Sequence, residues 1–289
     1  MSADLFAAGA PRIYSVPPGA SFLIRLVETL VRELKARDNP AALADALIYV
    51  PNRRSARELA RAFHEAIGKP AFLPPEIRAL GDLESLEPPV GTEEAIAGLG
   101  PALSPAKRLG ELANLVMAFY DNTGQRPPPR AALSAARELA ALLDQASLSG
   151  DVNWDLLPKL VENSELSAHW EQSVKFLRIV TDEWPNYLSE IGAMDPFARR
   201  LAVAEALAAH WTRHPPGAPV VIAGSTGATP ASRELMKAVL RLPKGLVVLP
   251  GLDRDITDIV SIRTDASHCL LYTSPSPRDA TLSRMPSSA

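Results

Sequence analysis

The chain begins a strand–helix alternation, abandons it, and takes it up again, and that interruption limits its possible folds more than any other feature of the sequence. Arg12-Ile13-Tyr14-Ser15-Val16 is a short strand-type run, closed by Pro17-Pro18-Gly19 and followed by helical apolar spacing over 21–37. Ala46-Leu47-Ile48-Tyr49-Val50 repeats the pattern, and Ala56, Leu59, Ala60, Phe63 and Ile67 then share one face of a helix over 55–67. A third strand is expected over 76–80. Strands separated by helices pair in parallel, because a parallel neighbour is reached only through a covering crossover. Only helical periodicity remains over 104–120, 130–148 and 165–191, with breaks at Asn122-Thr123-Gly124 and Pro127-Pro128-Pro129 and a kink expected at Pro185. A further helix opens at Asp195-Pro196, where Asp caps and Pro fits the first turn. Pro219-Val220-Val221-Ile222-Ala223-Gly224 restores a buried-strand pattern, followed by a helix over 231–242 and a strand over 245–249. The expected fold is an α/β parallel sheet core carrying a large all-helical insertion.

Domain boundaries follow from that order. Residues 10–82 form the first part of the α/β core, 104–214 the helical insertion and 215–258 the return to the core. Between the first two lies 83–103, expected as an exposed acidic linker: Asp82, Glu84, Glu87, Glu93 and Glu94 occur over 81–100 with no basic residue, among prolines and glycines. Past Asp253 the periodicity fails, and 259–289 reads as a junction and a disordered tail rich in Ser, Thr and Pro. The string from Cys269-Leu270-Leu271-Tyr272 through Pro275-Ser276-Pro277-Arg278 to Ala289 resembles translated sequencing adapter. It is expected not to be native protein, so that the chain is a truncated front part of a longer one.

Composition removes several classes of function. A single cysteine, Cys269, supports neither a disulfide framework nor a cysteine-held zinc or iron–sulfur site. The start Met-Ser-Ala-Asp-Leu-Phe is unlike a signal peptide, and no charge-free run approaches the ~20 residues of a membrane span, so a soluble cytoplasmic protein with no membrane association is expected. The net charge of −3 does not advertise nucleic-acid binding, which must then come from a local basic patch. The 23 arginines against 7 lysines favour bidentate contacts, but a GC-rich genome accounts for them first.

No catalytic residue and no metal ligand set stands out. Pro17, Pro18, Gly19, Ala20 and Ser21 occupy the place of a phosphate-binding loop between strand and helix, yet the G-x-x-x-x-G-K-[ST] chemistry is missing, with neither the lysine for phosphate nor the hydroxyl for magnesium. Arg53, Arg57 and Arg61, spaced four apart just after a strand end, are placed to meet successive backbone phosphates, and Asn52 and Arg54 enlarge the patch. Periodicity alone favours the plainer alternative, a solvated face partly neutralised by Glu58 and Glu65. Gly224-Ser225-Thr226-Gly227 lacks the order of a hydrolase elbow and reads as a turn. His210 and His214 share a helical face without a third ligand, and Asp253, Asp255 and Asp258 fail as a calcium loop because Asp258 stands where glycine is needed. The only nuclease-type triplet, Glu33-Leu34-Lys35, falls in a helical run and reads as a surface charge pair.

Five segments in order carry a resemblance: Tyr14-Ser15-Val16-Pro17-Pro18-Gly19, Val50-Pro51-Asn52-Arg53-Arg54-Ser55-Ala56-Arg57, Ile77-Arg78-Ala79-Leu80-Gly81-Asp82, Ala223-Gly224-Ser225-Thr226-Gly227 and Val248-Leu249-Pro250-Gly251-Leu252-Asp253. Together they resemble the alphaproteobacterial AddB family over residues 10–258, and Trp154, His169-Trp170, Glu183-Trp184-Pro185 and Gly192-Ala193-Met194-Asp195-Pro196 fit that family's helical region. The resemblance implies a superfamily 1 helicase-like, RecA-like core with degraded motor motifs, working beside an AddA-like helicase–nuclease subunit in double-strand break repair. It also implies a C-terminal nuclease domain with a 4Fe-4S cluster and magnesium beyond this chain, and no cofactor within it. Carried over to this sequence, the resemblance puts Arg53, Arg54 and Arg57, with Asn52 beside them, along single-stranded DNA, and so reverses the preference for a solvated face. Two other functions stay open: an ATP-dependent helicase or translocase with an atypical phosphate loop, and a scaffold that docks the AddA motor without binding DNA.

Overall fold

The computed structural model describes residues 5–7, 12–17, 20–85, 87–122, 124, 127–150, 152, 154 and 167–251. Pro18 and Gly19, the first residues of the helix expected over 165–191, the aspartates 253, 255 and 258, and the junction and tail over 259–289 lie outside them. Two compact units divide the chain, the first drawn from 1–82, 208–228 and 232–289 and the second from 83–207 with 229–231.

The first unit is a parallel sheet. Its strands are β1 (Ile13–Val16), β2 (Leu47–Val50), β3 (Glu76–Ala79), β4 (Val220–Ala223) and β5 (Gly245–Pro250), in the order β1-β5-β4-β2-β3. Every described pairing is parallel, with Ile48 opposite both Ile77 and Val221, and Ile222 opposite Val247. The central strands β2, β4 and β5 read as unbroken apolar runs because both faces of the sheet are covered there, whereas the edge strands β1 and β3 are only partly buried. On one face Ile48, Val50, Val221, Ala223, Leu246 and Val248 form a core with Leu26, Val27, Leu30 and Val31 of α1 (Phe22–Glu33) and Leu59 and Phe63 of α3 (Arg53–Ile67). On the other, Tyr49 is fully buried and meets the Trp211 ring edge-on at 6.5 Å. Burial pushes the Tyr49 phenol well above its ordinary pKa, with the Arg78 charge opposing the shift.

Helix α1 ends earlier than its apolar spacing predicts. Lys35 takes a left-handed φ of 48°, its N–H bonds to the Arg32 carbonyl and the Ala36 N–H reaches back to the Val31 carbonyl. That is the paired closure of a Schellman cap, built on lysine where glycine is usual. A short helix α2 (Pro40–Ala44) follows and leads into β2.

The second unit is helical. It contains α4 (Glu93–Ile96), α5 (Pro105–Asn122), α6 (Pro129–Ser149), α7 (Ser167–Arg178), α8 (Trp184–Glu190) and most of α9 (Pro196–Arg213), while α10 (Pro230–Arg241) belongs mainly to the first unit. Pro185 produces a local change of winding: a π turn over Ile179–Glu183 precedes α8, with the Trp184 N–H reaching the Ile179 carbonyl. Widening the preceding turn accommodates a ring that cannot donate to the turn behind it.

A buried polar knot holds the helices together. The Arg108 Nε donates to Asp195 Oδ2 at 2.8 Å, and its Nη1 lies 2.8 Å from Asp144 Oδ1. The Trp184 Nε1 also donates to Asp195 Oδ2, at 3.2 Å, and the other Asp195 oxygen caps α9 through the Phe197 N–H at 3.1 Å. Arg108 and Asp195 are each only 7% exposed.

Residues 83–103 depart from the expected exposed linker. Leu83, Thr92, Ile96 and Leu103 are buried, the Arg200 guanidinium grips Glu84 in two hydrogen bonds of 2.7 and 2.9 Å, and the Met194 N–H bonds to the Pro101 carbonyl. A window without bases looks solvated only because the bases that serve it are distant in sequence.

Since removing one member of a buried ion pair leaves the other uncompensated, Asp195→Ala is expected to lower the unfolding free energy by about 3–5 kcal/mol. Urea denaturation followed by circular dichroism measures the loss.

Candidate nucleic-acid interface at the carboxyl end of the sheet

All five strands point the same way, so the loops that follow them gather at one edge. The chain leaving β2 continues to β3 on one side, whereas the chain leaving β4 continues to β5 on the other. Where neighbouring connections diverge in this way, an open α/β sheet leaves a crevice at the carboxyl ends of its strands, the usual place for a ligand. By that rule the strand order puts the crevice between β2 and β4, and the loops bordering it contain segments that the sequence singled out.

The loop after β1 leads into α1 through Ser21, whose exposed side chain makes no cap hydrogen bond, and the first helical residues are Phe22 and Leu23. Phe22 lies over the loop that follows β4. A Cβ placed on Gly224 would stand 3.3 Å from the Phe22 Cε1 and 3.7 Å from the Pro51 Cδ. Residues that follow β1, β2 and β4 thus meet around Gly224. Gly224 has a φ of 74°, and its N–H bonds to the Val248 carbonyl at 2.9 Å. Ser225 is buried, and its hydroxyl oxygen accepts the Gly227 N–H at 3.3 Å, as a turn requires.

Helix α3 starts at the crevice. Asn52, extended at φ −151° and ψ 170°, accepts the Ser55 N–H on its Oδ1 at 2.9 Å and the Ser55 hydroxyl at 3.2 Å. That side chain, placed by the sequence on a DNA-facing patch, is engaged as a helix cap. Arg53, Arg54, Arg57 and Arg61 are all exposed, and three of them meet carboxylates. The Arg53 Nε donates to Asp82 Oδ2 at 2.7 Å, the Arg54 Nε to Glu58 at 2.9 Å and the Arg61 Nε to Glu65 at 2.8 Å. Hydrogen bonding by Glu58 and Glu65, and then their charge, raises the pKa of Arg54 and Arg61 above the ordinary guanidinium value. Three of the four arginines thus meet a carboxylate, and Arg57 has no such partner among the described residues. The Glu58 and Glu65 pairings were legible as i,i+4 spacings, but the Asp82 contact crosses between elements and carries no local signal.

The remaining candidates do not come together as a site. His210, on the last turn of α9, and His214, just past its end, stand with ring centroids 5.1 Å apart, and among the described residues no group of three or more His, Cys, Asp or Glu could hold a metal. Glu33 pairs with Arg32 at 2.9 Å while Lys35 sits beyond the helix end, so the nuclease-type triplet is split between a helix and its cap. Among the described residues no helix is long and apolar enough to cross a membrane. In comparisons with known proteins, no family model matches the chain and no curated protein matches it.

A side chain at position 224 meets both a left-handed backbone and the Phe22 ring. Gly224→Ala is expected to cost about 1–2 kcal/mol in unfolding free energy from the backbone alone, read as a lower midpoint in urea.

Proposed function

We propose that this chain is the non-catalytic, helicase-like part of an AddB-type subunit of a double-strand break repair helicase–nuclease, built on a RecA-like parallel core. Its role is to bind single-stranded DNA through the start of α3 and to assemble with an AddA-like motor subunit. The contact between Phe22 and Gly224 carries this reading. A working phosphate-binding loop opens its helix with lysine and a serine or threonine, one for the phosphates and one for magnesium. Here the helix opens with Phe22 and Leu23, and the loop after β4 brings Gly224-Ser225-Thr226 where an active motor of the resembled family has an acidic pair. An aromatic ring against a glycine offers neither a cation to phosphate nor a carboxylate to magnesium. The exposed guanidinium groups of Arg53 and Arg57 beside the same crevice support the DNA-binding half of the proposal.

A second reading, a scaffold that docks the motor without touching DNA, draws on the three carboxylates that offset the α3 arginines. Affinity for a labelled single-stranded oligonucleotide, measured over a salt series, separates the two. DNA binding predicts that the chain binds, that Arg53→Ala with Arg57→Ala binds more weakly, and that the slope of log affinity against log salt becomes shallower by up to about 1.4, the value for two phosphates on a single strand. Equal binding by both proteins, or binding by neither, removes the DNA assignment and leaves the scaffold.

A further inference from the structure

Arg54 and Arg61 each meet a carboxylate four residues further along α3, but Arg53 reaches Asp82, 29 residues away in sequence. The two sides of that contact differ in freedom. The Asp82 side chain is 21% exposed and sits at the end of a 3-10 turn over Leu80–Asp82. That turn is anchored by the buried Leu80 and by the Gly81 N–H, which bonds to the Pro51 carbonyl at 3.1 Å. The Arg53 side chain is 73% exposed, so a ligand arriving from solvent can reach its guanidinium. Carboxylate and phosphate present similar oxygen pairs to a guanidinium, and one can replace the other.

We propose that Asp82 is an intramolecular stand-in for a phosphodiester. It holds Arg53 at the carboxyl edge of the sheet in the absence of nucleic acid, and a backbone phosphate of single-stranded DNA displaces it, so that Asp82 sets the affinity of this site. The inference rests on the DNA-binding reading of α3 given above. It follows that the positive charge at the start of α3 is held in reserve: binding exchanges one ion pair for another, and the net gain is the difference between them.

The test is fluorescence anisotropy of a labelled oligothymidylate with the full 289-residue chain carrying Asp82→Asn. Releasing an exposed ion pair is expected to tighten binding about two- to five-fold. The gain should vanish when Arg53→Ala is added. Glu138→Gln, which removes the same charge from an exposed position of α6, should leave affinity within experimental error of the unaltered chain. Should Asp82→Asn fail to keep the parent circular dichroism spectrum, Asp82→Ser removes the same carboxylate and replaces it in the test. An unchanged affinity, a gain that survives Arg53→Ala, or an equal gain from Glu138→Gln overturns the exchange while leaving the DNA-binding reading in place. Absence of binding by both the unaltered chain and Asp82→Asn overturns both.

Discussion

Val220–Ala223 joins two pieces of chain that are distant in sequence. It pairs with β2 through Leu47, Ile48 and Tyr49 and with β5 through Gly245, Leu246, Val247 and Val248. Without this strand, β2 with β3 and β5 with β1 would be two separate ribbons, each too small to hold an apolar face. The connection from β3 to β4 runs through the whole helical unit, and the entropy of closing so long a loop grows only with the logarithm of its length. Four buried apolar residues, three of them paired on both edges, offset that cost. The same arrangement creates the crevice, because the chain must leave β4 away from β2.

The middle of the sheet was readable in advance because β2, β4 and β5 are buried on both faces. Four or five consecutive apolar residues, bounded by Pro and Gly, have few alternatives in a chain that also alternates with amphipathic helices. Asp195 was readable for a similar reason: a cap followed by proline acts locally, and the Phe197 N–H meets it as expected. What could not be read depends on partners far along the chain or on an unusual residue. Lys35 ends α1 in a conformation that sequence normally signals with glycine. Glu84 looked solvated because its partner, Arg200, lies 116 residues away. Asp82 was counted as one more acid of a linker, yet it meets Arg53.

The candidate site shows the same division. The loop after β1 could be recognised from sequence as lacking a lysine, since the motif depends on residue identity. What stands beside that loop is visible only in three dimensions, where the Phe22 ring lies against Gly224. The arginines of α3 were legible as a cluster, and the carboxylates i,i+4 from them as partial neutralisation. That Arg53 also meets a carboxylate needed the fold, because Asp82 comes from the turn after β3.

The central claim is that the crevice between β2 and β4 has exchanged phosphate chemistry for an apolar contact while the neighbouring helix keeps its arginines. Nucleotide binding tests it most directly, by titrating the 289-residue chain into a fluorescent ATP analogue with magnesium and competing with unlabelled ATP. The account predicts no saturable, competable binding up to millimolar protein. Saturable binding in the micromolar range, displaced by ATP, would contradict it and would restore the reading of an active motor with an atypical loop.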